Sequence, residues 1–224
     1  MGMCVLVIGQ SGSGKSTSLR NFAPDEVGVL NVAGKPLPFR SNLQAVNNAK
    51  YETVEKALAQ AKRPSYVIDD AGYLLMFDNF AKATVKGYDK FTEMGVSFYN
   101  LLRVAAARTP EDCIVYFIMH EDEDSTTGRI KPKTIGRMLD EKLNIEGLFT
   151  VVLRSVSTSD DNGGIAYQFE TQTNGLTPCK CPIGMLPPVM ENDLKAVDTA
   201  IREYYGWAKE RKDENGKDEM VGKD

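Results

Sequence analysis

The chain has 224 residues, 42% of them hydrophobic and 26% charged, a balance that can bury a full core without disulfides or metals. A formal net charge of −4 excludes a surface that is basic all over, so any contact with nucleic acid has to come from a local patch. Cys4, Cys113, Cys179 and Cys181 include two in apolar runs, which fits a reducing compartment, and no apolar run is long enough to span a bilayer; the expectation is a soluble, cytoplasmic protein with no membrane partner.

The first residues are apolar but have no basic stretch ahead of them, so they predict a strand over 4–8 and not a signal peptide. That strand runs into Gly9-Gln10-Ser11-Gly12-Ser13-Gly14-Lys15-Ser16, a complete match to G-x-x-x-x-G-K-[ST], with a helix predicted over 15–21. Glycines in such a loop let backbone N–H groups converge on phosphate oxygens, and the helix N-terminus adds partial positive charge. Lys15 is expected to neutralise the β/γ oxygens, Ser16 to offer its hydroxyl to Mg²⁺, and Thr17 to lie beside the α-phosphate. No guanine-reading Asn/Thr-Lys-x-Asp motif is present, so the expected ligands are ATP and Mg²⁺.

A second strand is predicted over 27–32, a helix over 51–61 and a third strand over 65–68, which ends in Asp69-Asp70. An apolar strand finishing in carboxylates is the arrangement that P-loop enzymes place opposite the phosphate loop. Asp69 is read as a Mg²⁺ residue acting through water. For Asp70 two readings stand: a general base that polarises the attacking water, or the N-cap of the helix predicted over 72–86.

After a further helix over 90–108, the strand over 113–119 leads into His120-Glu121, which should emerge on the same rim as Asp69. His120 is either a sensor of the γ-phosphate or a structural histidine. Glu121-Asp122-Glu123-Asp124 then gives way to a basic loop over 128–137, in which Arg129, Lys131 and Lys133 could meet a DNA backbone, reach phosphate on a neighbouring subunit, or sit in solvent. Strands over 149–157 and 165–171 read as a hairpin turning at Asp160-Asp161-Asn162-Gly163-Gly164. Cys179-Lys180-Cys181 lies in a loop over 177–188 with no second ligand pair, which does not make a zinc site. The last helix, over 192–205, takes Asn192 as its N-cap, and Tyr204, Tyr205 and Trp207 behind it either stack on bases or pack on the core.

Strands alternating with amphipathic segments give an α/β fold, and with the phosphate loop a P-loop NTPase with a mainly parallel sheet flanked by helices and a late β-hairpin. Its domain is expected over 1–207, followed by a charged, disordered tail over 208–224.

Nearly the whole chain resembles the phage-encoded AAA/RecA-core ATP-binding proteins, among them the Sak-four type of single-strand annealing ATPases. The likeness rests on the phosphate loop, on Asn31-Val32-Ala33-Gly34-Lys35-Pro36-Leu37-Pro38-Phe39-Arg40, Ile68-Asp69-Asp70, Met119-His120-Glu121 and Lys131-Pro132-Lys133-Thr134-Ile135-Gly136, and on the later segments Gly147-Leu148-Phe149, Thr171-Gln172-Thr173-Asn174-Gly175 and Gly184-Met185-Leu186. The resemblance implies a RecA-like fold and a small ATPase of phage recombination or replication that binds single-stranded DNA and cooperates with a phage or host single-strand-binding protein. Lys131 and Lys133 resemble the paired lysines that RecA proteins insert into a neighbour's nucleotide site, which implies a homo-oligomer. One departure bears on catalysis: RecA relatives place a glutamate just after the second core strand, where this chain has Asn31, Ala33, Gly34 and Lys35. That moves the base to Asp70 and leaves a slow or partner-activated ATPase open. Two other classes remain: a nucleotide-dependent interaction switch or loader for replication or packaging proteins, and a nucleotide kinase, which the lack of a lid-like arginine cluster disfavours.

Overall fold

A computed structural model describes residues 1–87, 89–135, 144–159 and 163–207. Its strands are β1 (Met3–Gly9), β2 (Val27–Asn31), β3 (Ala45–Asn47), β4 (Ser65–Asp69), β5 (Ile114–Glu123), β6 (Ile130–Pro132), β7 (Val151–Ser159), β8 (Ile165–Glu170) and β9 (Val189–Glu191). Its helices are α1 (Tyr51–Gln60), α2 (Gly72–Ala81), α3 (Asp89–Ala107) and α4 (Leu194–Tyr204), with short 3₁₀ turns at Ser16–Asn21 and Glu146–Leu148. The sheet runs β3-β2-β4-β5-β1-β7-β8-β9, with β6 paired to β5 alone. From β3 to β7 neighbouring strands are parallel, and β8 and β9 then add antiparallel.

The central strands read as unbroken apolar runs because both faces are covered. Leu6 and Ile8 of β1 face a cluster with Leu58 of α1, Leu75 of α2 and Phe98 and Leu101 of α3. Val5 and Val7, alternating with them, face Leu19, Phe169 and the α4 residues Leu194, Val197 and Ile201. One layer therefore holds α1–α3, and the other holds the turn after the phosphate loop together with α4.

A buried polar network pins α4 to the sheet. Asp198, 2% exposed, accepts hydrogen bonds from Ser65 Oγ, from Tyr116 Oη at 3.1 Å and from Arg202 Nε at 2.6 Å.

Several sequence expectations shift here. The segment after Lys15 winds as a 3₁₀ turn and not as an α-helix, and α2 stops at Ala81. The N-cap of α4 is Asp193, whose carboxylate accepts from the N–H groups of Lys195 and Ala196; Asn192 is buried and turned toward Ser155. The region predicted as a basic loop is a hairpin arm, because Ile130–Pro132 pairs antiparallel with Glu121–Glu123. Three-residue strands such as β3 and β9 are too short to show a period. Trp207 packs on the second core cluster, whereas Tyr204 and Tyr205 are 47% and 39% exposed. The hairpin residues Asp160, Asp161 and Asn162, the end of the basic segment at Gly136 and Arg137, and the tail over 208–224 lie outside the described residues. Among the described residues no helix is long and apolar enough to cross a membrane.

Candidate active site

The carboxyl ends of β1, β5 and β4 stand side by side, and each finishes in a polar segment. In register, Gly9 sits opposite His120, and β5 in turn pairs with β4, which ends at Asp69. His120 therefore lies between the phosphate loop and the acidic pair. A cavity of about 480 Å³ opens there, walled by Gly12, Lys15, Ser16 and Thr17 on one side, by Asp69, Asp70 and His120 on another, and by Lys35 and Tyr167 above. That volume is in the range of small-ligand sites.

The glycines of the loop are needed where they fall. Gly12 and Gly14 have φ of +82° and +92°, which side-chain-bearing residues rarely adopt. A Cβ at Gly9 would lie 2.5 Å from both Ser13 Oγ and Ser155 O, and one at Gly14 would lie 2.8 Å from the Tyr167 ring. Ser155 Oγ donates to Ser13 O at 2.6 Å, fixing the loop against β7. Gln10 and Ser11 are exposed at the loop's tip, and Ser13 is buried with its hydroxyl unpartnered.

Lys15 is only 6% exposed and its Nζ donates to Gly9 O at 2.8 Å and Gln10 O at 2.6 Å. Burial pulls its pKa down to about 8, against the attraction of Asp70, Glu121 and Asp69. A buried ammonium held by carbonyls alone has a donor left for an anion, and a phosphate would restore its full charge.

Ser16 Oγ donates to Asp69 Oδ1 at 2.9 Å. Burial and the neighbouring Asp70 push Asp69 up to about 6, with Ser16, Lys35 and Lys15 opposing. A hydroxyl and a carboxylate that repels its neighbour form a hard-oxygen pair suited to Mg²⁺. The residues present fit both nucleotide phosphate and its metal ion.

Asp70 does not cap α2; the N-cap position is Ala71, and no side chain caps that helix. Its carboxylate points into the cavity instead, with Lys35 Nζ 2.8 Å from Oδ2 and His120 Nε2 3.5 Å from Oδ1. Its backbone is left-handed at φ +59°, a conformation that costs a non-glycine residue on the order of 1–2 kcal/mol. Burial raises its pKa, but hydrogen bonds from His120 and Lys35 outweigh that and leave it below the ordinary aspartate value. His120 also meets the edge of the Tyr73 ring.

Glu121 is predicted on the same rim, but β5 runs on to Glu123 and its alternation turns Glu121 to the opposite face. There it forms a bidentate pair with Arg154, at 2.8 and 2.9 Å, with its side chain 1% exposed. Arg129, Lys131 and Lys133 do not line the cavity. They lie along the hairpin arm, which leaves the site's rim directly because Lys133 N donates to His120 O at 2.7 Å. Arg129 and Lys133 are exposed and Lys131 is half-buried.

Three site residues escape a reading of the sequence. Lys35 follows β2 in a Gly-Lys-Pro turn. Tyr167 of β8 lies over Gly14 and joins the first cavity to a second of about 500 Å³, lined also by Thr17, Arg20, Gln168, Glu191 and Asn192. Arg20 holds that wall in place by donating to Asn192 O at 2.5 Å and pairing with Glu191 at 2.8 Å. The only signal for Lys35 is a cation at the exit of a predicted strand, and for Tyr167 an aromatic residue on the predicted hairpin.

No protein-family model matches this chain, and no curated protein sequence does. Solved structures with some likeness include the Legionella pneumophila ATPase DotB, at 11% identity and a TM-score of 0.36, where the alignment covers 90% of this chain and 52% of that one. The pilus retraction motor PilT with bound ADP aligns at 10% identity and a TM-score of 0.37, over 91% of this chain and 51% of that one. The Yersinia pseudotuberculosis ATPase DotB aligns at 10% identity and a TM-score of 0.35, over 92% and 50%. The chain thus spans about half the length of the structures it matches.

Proposed function

We propose that this chain binds Mg²⁺-ATP at the cavity above β1, β4 and β5 and hydrolyses it, and that it uses the cycle on single-stranded DNA. The observation that carries the nucleotide reading is the convergence of Lys15, the Ser16–Asp69 pair, Asp70 and His120 on one cavity at the carboxyl ends of parallel strands. The loop N–H groups and Lys15 would hold the β- and γ-phosphates, with Thr17 on the side of the α-phosphate. Ser16 and Asp69 hold Mg²⁺, which when bound neutralises charge on the phosphate oxygens. The second cavity, past Tyr167 and between Arg20 and Gln168, would take the base and ribose. Asp70 orients the attacking water and takes its proton, while His120 fixes the carboxylate's direction and faces the terminal phosphate.

The DNA part of the reading is supported by the resemblance to phage annealing ATPases and by the exposed cations Arg129 and Lys133 on an arm anchored to His120. That link gives DNA, or a neighbouring subunit of a homo-oligomer, a mechanical route to the site. A switch or loader with little turnover is the second reading, and the clamped state of Asp70 favours it: a carboxylate paired with Lys35 and His120 and held below its ordinary pKa is a weak base. Phosphate release measured with and without single-stranded oligonucleotide separates the two. Turnover that oligonucleotide stimulates supports the ATPase; tight ATP binding with no turnover in either condition supports the switch and refutes the ATPase.

A further inference from the structure

Lys35 sits on neither the phosphate loop nor the acidic strand, yet it is one of the residues closest to Asp70 in the cavity. Its main chain is fixed. Asn31, 2% exposed at the end of β2, donates from Nδ2 to Lys35 O at 2.5 Å and to Asn47 Oδ1 at 3.0 Å, and accepts from Gly34 N at 2.8 Å. Gly34 takes φ +70°, the left-handed conformation the turn requires, and Pro36 restricts the residue before it. The side chain, in contrast, is 62% exposed and held at its tip by Asp70, with a weaker approach over the Tyr73 ring at 5.6 Å from its centre. A fixed base and a solvent-exposed stem let the ammonium swing about its own carbon chain at little cost. It opens onto the same cavity as Lys15.

The Asp70 carboxylate and a terminal phosphate compete for this ammonium. The phosphate carries more negative charge and more acceptor oxygens than one carboxylate, and Lys35 gains by moving to it. Asp70 keeps His120 near Oδ1 after the exchange, so it stays oriented while its Oδ2 gives up the cation.

Resting on the nucleotide reading above, we infer that Lys35 is the residue by which this site tells a triphosphate from a diphosphate. Without a γ-phosphate it neutralises Asp70; with one it transfers to that phosphate and releases Asp70 toward water. The same exchange makes turnover conditional on a bound triphosphate.

The test is titration of the purified full chain with ATP and with ADP, each with Mg²⁺, for the wild type, Lys35→Ala and Lys35→Arg, with circular dichroism to confirm the fold. In Lys35→Ala, ATP affinity should fall about 10- to 100-fold, the loss for one charge-assisted hydrogen bond, while ADP affinity stays within about twofold. Lys35→Arg should restore most of the preference. An equal loss for ATP and ADP would make Lys35 a general wall of the cavity and overturn the inference, as would no loss for either. Failure of the wild type to bind either nucleotide would instead overturn the nucleotide reading, and this inference with it.

Discussion

Replacing Asp70 with Asn separates chemistry from binding, and the backbone dictates the choice of substituent. Asp70 sits at φ +59°, where asparagine is among the better tolerated residues, whereas alanine would add on the order of 1–2 kcal/mol of backbone strain. The substitution removes a charge that meets Lys35 at 2.8 Å, but Lys35 is 62% exposed and water takes over its solvation, so the cost to stability is under about 1 kcal/mol. The cost to turnover is of a different size. Loss of a general base slows the step by roughly two to four orders of magnitude, which is about 2.7–5.4 kcal/mol of barrier. Removing Asp70's charge also relieves Asp69, whose pKa it helps to raise, so Mg²⁺-nucleotide affinity should hold or improve. Phosphate release under saturating ATP, alongside a direct measurement of ATP affinity, checks both halves. Turnover within about threefold of wild type, with ATP still bound, would show that Asp70 is not the base and that hydrolysis proceeds by another route.

Two other substitutions probe parts of the molecule that do not line the cavity. Asp198→Ala leaves the hydroxyls of Ser65 and Tyr116 without their buried acceptor and costs about 3–4 kcal/mol, at the low end for a broken buried pair because Arg202 keeps Pro64 O and Asp112 O. Urea or thermal unfolding reads this, and a loss below about 1 kcal/mol would mean the network is not closed as described. The double substitution of Lys131 and Lys133 by Ala should weaken oligonucleotide binding and flatten its salt dependence by about 1.4 in log–log slope, that is about 0.7 for each phosphate no longer neutralised. An unchanged slope would remove the hairpin arm from DNA binding.

The parts of the site that lie along one stretch of chain are legible in the sequence alone. The phosphate loop needs its glycines and lysine at fixed spacing because one turn of backbone does the cradling, so the motif and the place coincide. Asp69 and His120 are readable for a related reason: an apolar run marks a buried strand, and the first polar residues after it mark its exit. Glu121 shows where that logic stops. The strand continues past its apolar part, and alternation sends the second polar residue to the other face, into a pair with Arg154 that neither sequence position announces. Lys35 and Tyr167 depend on tertiary folding entirely. Lys35 reaches Asp70 only because Asn31 bends the chain back, and Tyr167 reaches Gly14 only because β8 pairs beyond β7. The arm carrying Lys131 reads as a loop because a three-residue strand containing proline has too little pattern to declare itself.

The wall that supports the phosphate loop is made late. Ser155 holds the loop and is itself held by Asn192, Arg20 reaches Asn192 and Glu191, Asn21 donates to Asp193 at 2.8 Å, and Lys195 pairs with Glu26 at 2.6 Å. Those contacts join residues 13–26 to residues 155–195, so the loop's second wall is supplied by chain far downstream of it. Bound nucleotide would in turn tie the early and late parts of the chain together, so that protection from a protease near residue 192 becomes a readout of occupancy at the phosphate loop.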